Sequence, residues 1–142
     1  MNGMNRIELI HAEITHTIIG CAFDVINELG AGFLETVYEK ALIVALTQKG
    51  LKVKEQYPIA VTFRGVHVGE FVADLYVEDC VIVELKVAKI IAAEHQAQLI
   101  NYLKATGVEV GLVINFGNPI LEYKRLIRRQ EVMAHNPDEQ IQ

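Results

Sequence analysis

The stretch VADLYVEDCVIVELKVAK, Val72 to Lys89, decides how the chain is read. It has the texture of two apolar strands around a tight turn at Glu78 and Asp79, and each strand carries charge where a core residue is expected. Asp74 interrupts the first run; Glu84 and Lys86 interrupt the second. With a three-residue turn, Glu78 to Cys80, Val77 pairs with Val81 and, counting outward, Asp74 faces Glu84. A two-residue turn shifts the register by one and leaves diagonal contacts only. Glu84 and Lys86 lie two apart and share a face in either case. One reading is an exposed hairpin with ordinary surface ion pairs. The other is a cation site, because two facing carboxylates beside an apolar core repel and lose hydration. A hard ion such as Mg²⁺, which needs one or two carboxylates and keeps several waters, resolves that conflict.

Working outward, the residues between Gly50 and the hairpin, LKVKEQYPIAVTFRGVHVGEF, are rich in β-branched and aromatic types with a turn at Arg64 and Gly65. Together with the hairpin, three antiparallel strands are expected from Leu51 to Lys86, with Ile59, Val61 and Phe63 on one face, and with Pro58 at a strand start or a sheet edge because it has no backbone donor. Upstream, Ile7, Ile10, Ile14, Ile18, Cys21, Val25 and Leu29 recur at helical spacing, and the GAG at Gly30 to Gly32 ends that helix. A second helix is expected from Leu34 or Glu35 to Lys49, stopped by Gly50. Downstream, a helix is expected from about Ala88 to Ala105. The nearly continuous apolar run VEVGLVINF then reads as a strand buried on both faces. ILEYKRLIRR follows, and its alternation at Leu121, Tyr123 and Arg125 favours a strand over a helix. A single α/β domain over 1–142 is expected, with residues 131–142 as a frayed polar tail.

Composition narrows the function. A chain of 142 residues that is 51% hydrophobic can build a core without disulfides or a structural metal. Cys21 and Cys80 stand apart without metal-ligand spacing and read as buried free thiols. No apolar run is long enough to span a bilayer and no signal-peptide pattern is present, so no membrane partner and a cytoplasmic location are expected. The net charge of −5 argues against a broad basic surface for nucleic acid. The run YKRLIRR, with Lys124, Arg125, Arg128 and Arg129, is the one local exception, and a solvated face is its plain explanation. The GAG follows a helix and so lacks the context of a dinucleotide site, and the chain contains no serine, which removes the serine nucleophiles.

Two further segments bear on the hairpin: GFLETVY, Gly32 to Tyr38, and HQAQLINYLKATG, His95 to Gly107. With ADLYVEDCVIVELK between them, they closely resemble the GxxExxY protein family of the PD-(D/E)XK nuclease-like superfamily, over roughly Ile14 to Arg128. D-x(9)-E-x-K alone is a weak pattern; the three segments in order are specific. The resemblance implies an α/β (α+β) restriction-endonuclease-like core, a mixed central sheet with a β-hairpin and flanking helices. It also implies that Asp74 and Glu84 bind a metal, Mg²⁺ or Mn²⁺, that Lys86 is the catalytic lysine, and that the carbonyl of Leu85 and the acid Glu35 complete the site. Gln98 and Tyr102 resemble the Gln-x-x-x-Tyr element of the exonuclease-like branch. Helical spacing independently puts His95, Gln98 and Tyr102 on one face, and Glu35 with Tyr38 on another. A structural role is the plain reading of His95, and a core position that of Tyr102. The sequence departs from the pattern in two places: Ala73 stands where the superfamily has its proline, and Val72 where many relatives carry a basic residue.

The function implied is a metal-dependent nuclease hydrolysing phosphodiester bonds in DNA or RNA. The alternative, suggested by the acidic net charge, is a catalytically inactive nuclease fold kept as a binding or assembly module, such as a homodimer.

Overall fold

A computed structural model describes residues 10–128. Eight elements follow in order: α1 (Ala12–Leu29), α2 (Glu35–Gln48), β1 (Val53–Phe63), β2 (Val66–Val77), β3 (Val81–Lys86), α3 (Ala93–Thr106), β4 (Val110–Asn115) and β5 (Glu122–Ile127). Ile7, Arg129 and the polar tail lie outside the described residues. No helix among the described residues is long and apolar enough to cross a membrane.

The helical periodicity of α1 becomes a buried stripe of Ile18, Cys21, Ala22, Val25 and Ile26. Residues around Gly50 close α2 with a paired C-terminal motif: Gly50 N–H donates to Thr47 O (2.9 Å) and Leu51 N–H to Leu46 O (3.1 Å), satisfying carbonyls the helix leaves free. Helix α3 starts at Ala93, five residues later than its apolar pattern suggests, because other bonds hold the backbone before it. Asn115 binds both backbone groups of Ala88, and Glu122 Oε1 accepts from Ile91 N–H at 2.9 Å.

The five strands form one mixed sheet in sequential order, antiparallel at every pairing except the parallel β3–β4 pair. That exception follows from α3, which carries the chain back across the sheet as a parallel crossover requires. Both hairpin turns fall where the sequence puts them. Val77 pairs with Val81 around a three-residue turn, so the longer of the two turn lengths is the one adopted. Phe63 pairs with Val66 around Arg64 and Gly65, whose φ angles of 51° and 78° suit a two-residue hairpin turn. Pro58 sits in β1, an edge strand, as its missing donor demands.

Strand parity divides the core. Leu75, Val77, Val81, Val83, Leu85, Val110, Leu112 and Ile114 pack with α1 and α2 on one face. Ile82, Val113 and Ile59 pack with Leu99, Tyr102 and Leu103 of α3 on the other. Strand β4 is buried at all six positions, as its unbroken apolar run predicts. The shared face expected for Ile59, Val61 and Phe63 is buried only at Ile59, and Phe63 is 59% exposed. The β1–β2 hairpin outruns the body, since β3 pairs with β2 only from Leu75 to Val77. Cys21 is buried, whereas Cys80 is only half-buried.

Candidate active site

The β2–β3 ladder stops at Leu75 and Val83, and one step beyond it the side chains take over. Glu84 Oε1 accepts from the Asp74 N–H at 2.9 Å, and Asp74 Oδ2 accepts from the Leu85 N–H at 2.8 Å. Each acid therefore supplies the bond that its neighbour's backbone would have found in a continued ladder. Asp74 and Glu84 are opposite in register, as the three-residue turn requires. Lys86, two residues on, shares the parity of Glu84 and is half-buried. The exposed-hairpin reading fails on burial, because Glu84 is 5% exposed.

Burial first, and the facing Asp74 carboxylate second, push the Glu84 carboxyl up to about 8. Burial also raises Asp74, against the opposing pull of the Leu85 N–H and of Lys86. A proton held between the two carboxyls is what keeps the pair tolerable at neutral pH. The donor set suits a hard divalent ion that keeps most of its waters, since such an ion removes the same repulsion without the proton. Among the described residues, no three His, Cys, Asp or Glu side chains are gathered closely enough to hold a metal by themselves. Two carboxylates with solvent completing the shell is the arrangement that fits.

Glu35 opens α2, where a carboxylate meets the positive end of the helix. Burial raises its pKa, the nearby Asp74 raises it further and Lys86 lowers it, which locates Glu35 within electrostatic reach of the site. The other residues of GFLETVY hold it there. Gly32 has φ +114°, a conformation closed to residues with a Cβ. Tyr38 is fully buried; its hydroxyl donates to Gly30 O (2.6 Å) and accepts from Phe33 N–H (3.1 Å), and its ring stacks on Phe116 at 4.9 Å. Tyr38 thus fastens the α1–α2 loop to the start of α2. Glu39, not singled out from sequence, also responds to Asp74 and accepts a bond from Gln56 Nε2 (2.7 Å). Its spacing from Glu35, one helical turn on the same face, was the available signal.

Of the α3 residues, Tyr102 is 6% exposed and packs on the sheet face that Glu84 shares with Ile82; burial first, and then the Glu84 and Asp74 charges, raise its hydroxyl pKa. Gln98 is exposed one turn earlier on the same side of the helix. His95 is committed elsewhere: its Nδ1 accepts from Ala92 N–H at 3.0 Å and caps the helix. A second polar residue missed from sequence is Asn115, fully buried at the end of β4. Its Oδ1 accepts from Ala88 N–H (3.0 Å) and Gly117 N–H (2.9 Å), while its Nδ2 donates to Ala88 O (2.9 Å) and Glu122 Oε1 (3.1 Å). This clamp fixes the segment that leaves Lys86. Gly117 lets it close, because a Cβ there would fall 2.1 Å from Ala88 O. Its sequence signal was an amide ending an otherwise apolar buried strand.

The basic run is not a free patch. The Arg125 guanidinium donates to Ile10 O, and Arg128 donates to Gly107 O at 3.2 Å. Both therefore tie chain segments together, and only Lys124 of the described members is well exposed without such a bond.

This geometry can be set beside known proteins. The fold is similar to the crystal structure of SSO0001, with a TM-score of 0.55 at 14% identity, covering 91% of this chain. The chain spans 64% of that protein's length. An alkaline exonuclease from Laribacter hongkongensis, LHK-Exo, aligns over 96% of this chain and 78% of its own, at 13% identity and a TM-score of 0.45. No curated protein sequence matches. The likeness to SSO0001 agrees with a restriction-endonuclease-like arrangement of the mixed sheet and its helices. The profile of the PD-(D/E)XK nuclease superfamily matches residues 12–129, which takes in both acids, Lys86 and every element described. With that match spanning most of its length, the chain belongs to the PD-(D/E)XK nuclease superfamily.

Proposed function

We propose that the chain is a metal-dependent nuclease that hydrolyses phosphodiester bonds in DNA or RNA at the site around Asp74 and Glu84, and that within the superfamily it stands with the GxxExxY proteins. Membership of a nuclease superfamily supports the reaction class. The observation that carries the reading is the pair of a half-buried Asp74 and a buried Glu84, held face to face by reciprocal backbone bonds beside Lys86. The narrower assignment is supported by the roles of Gly32 and Tyr38, which hold Glu35 at the head of α2.

Asp74 and Glu84 would hold Mg²⁺ or Mn²⁺, with the Leu85 carbonyl completing the set and Glu35 supporting the ion through its waters. When bound, such an ion supplies a Lewis acid at a phosphate oxygen and lowers the pKa of a water. Lys86 brings positive charge to the same face, where it orients the attacking water or offsets charge growing on the phosphate. Gln98 and Tyr102 line the α3 side and steady the site or the substrate backbone. In the test, the purified chain cleaves DNA or RNA with Mg²⁺ or Mn²⁺, and Asp74→Ala and Lys86→Ala abolish that cleavage. Equal activity in either variant would overturn the site.

One observation favours a second reading, a nuclease fold retained as a binding or assembly module such as a homodimer: Arg125 and Arg128 are spent on internal carbonyls. Titration calorimetry with Mn²⁺ separates the two, because the module needs no binding that depends on Asp74 and Glu84.

A further inference from the structure

A groove of about 710 Å³ runs between α3 and the β1–β2 hairpin, outside the acid pair but on the same face of the sheet, where Tyr102 packs with Ile82, two residues before Glu84 on β3. Its volume lies within the range of small-molecule sites. One wall is a helical stripe carrying Gln98, Asn101 and Tyr102; the other is strand residues Val61, Thr62 and Phe71. Phe71 is 47% exposed, and its ring meets that of Tyr102 at 5.8 Å with a 41° tilt. Glu94 and Lys104 on the helix balance one another in charge.

We infer that this groove receives an unpaired nucleobase of the strand whose phosphate lies at Asp74 and Glu84, stacked on Phe71 and met at its edge by the amides of Gln98 and Asn101. The inference rests on the nuclease reading for the position of the phosphate and adds the substrate class, single-stranded nucleic acid. Three observations converge on it. The groove offers an aromatic face and two amides, the groups that bind splayed-out bases. Tyr102 lines the groove beside Phe71 and packs on the sheet face that Glu84 shares with Ile82, so the base of a nucleotide whose phosphate lies at the acids is directed along that face towards Phe71. The chain also has little to hold a duplex by its phosphates, with a net charge of −5 and with Arg125 and Arg128 engaged internally. Affinity that cannot come from phosphate neutralisation has to come from base stacking, which paired bases do not offer.

The test measures binding of fluorescein-labelled oligothymidylate and of a duplex of equal length in Mn²⁺, both with hydrolysis-resistant phosphorothioate links. The wild-type chain should bind the single strand more tightly than the duplex. Phe71→Ala should weaken the single-strand complex by about tenfold, the order expected of one lost base stack. Ala97→Trp, which fills the groove from an exposed helical position, should do the same. Unchanged melting temperatures would confirm that both variants fold, and Phe71→Tyr should restore binding. Equal affinity for duplex and single strand, no binding of either, or wild-type binding in both variants overturns the groove. Cleavage by the wild-type chain that persists in those variants, without any loss of binding, leaves the nuclease reading intact and removes the groove. Binding that depends on Phe71 in a chain that cleaves nothing does the reverse.

Discussion

The two ends of the β2–β3 hairpin place acids in opposite circumstances. At the turn, Asp79 is exposed and meets Lys52 at 2.6 Å and Lys54 at 2.9 Å. Hydrogen bonds from Lys52 and then Lys54 hold its carboxyl below the usual range. Five residues back along β2, Asp74 faces another acid, and burial raises both. The turn acid is where it is because charge is balanced in water. The site acids are where they are although charge is unbalanced out of water. A fold does not need the second arrangement, and groups whose pKa values are displaced by burial and a facing like charge cluster at functional sites, which is why the proposed site is placed there.

The largest expected effect separates the two ends by activity. Glu84→Gln preserves size and hydrogen bonding yet removes the ionisable oxygen. It should lower metal-dependent cleavage by roughly 100-fold or more. Asp79→Asn should leave the rate unchanged. Initial rates on labelled nucleic acid decide this, and a rate in Glu84→Gln equal to wild type would erase the distinction between the ends.

Stability should separate them too. Asn115→Ala leaves the Ala88 and Gly117 N–H groups behind the site without their acceptor, at a cost of about 3 kcal/mol. Lys52→Ala at the turn removes one solvent-screened pair and should cost far less. Urea denaturation measures both, and equal costs would mean that the Asn115 clamp does not secure the segment leaving Lys86.

The pH dependence of the metal-free chain should run in opposite directions at the two ends. Glu84 has a folded pKa of about 8 against 4.5 for the free side chain. Between those values the folded state keeps a proton that the unfolded state has released, so stability falls as pH rises through that window. Asp79 is depressed, so its contribution is full above the ordinary carboxylate range and is lost as pH falls through the folded value. Thermal melts from pH 5 to about 8.5 should show a declining midpoint that Glu84→Gln flattens and that Mn²⁺ reverses. A midpoint indifferent to both changes would mean that the pair is not in conflict.

Much of this was legible in the sequence, and unevenly for physical reasons. Strands were readable where alternation or a continuous apolar run leaves few alternatives, as at Val81–Lys86 and Val110–Asn115. The facing of Asp74 and Glu84 followed once the turn length was fixed, but Glu78 to Cys80 left two lengths open, and burial of Glu84 depends on helices distant in sequence. The start of α3 lies later than the sequence indicates because apolar periodicity from Ala88 onward says nothing about Asn115 and Glu122, which claim that backbone from more than 25 residues away. Exposure of Phe63 and Val66 was equally hidden, since their pattern is that of a core strand and only the shortness of the β2–β3 ladder leaves them uncovered.

The smallest effect concerns how the remote acid is held. Tyr38 makes two hydrogen bonds through one hydroxyl, to the Gly30 carbonyl and from the Phe33 N–H. Tyr38→Phe keeps the ring and its stack on Phe116 and removes only those bonds, so it should destabilise the chain by about 1 kcal/mol. Because the loop they fasten leads directly into Glu35, the same variant should also move the site slightly. The cation concentration giving half-maximal cleavage should rise a few-fold, the lower end of what a misplaced supporting group costs a metal site. A Lys54→Ala control at the turn should change neither quantity by as much. Loss of stability without any shift in cation dependence would make Tyr38 a fastening of the loop alone, and would detach Glu35 from the conflict between Asp74 and Glu84.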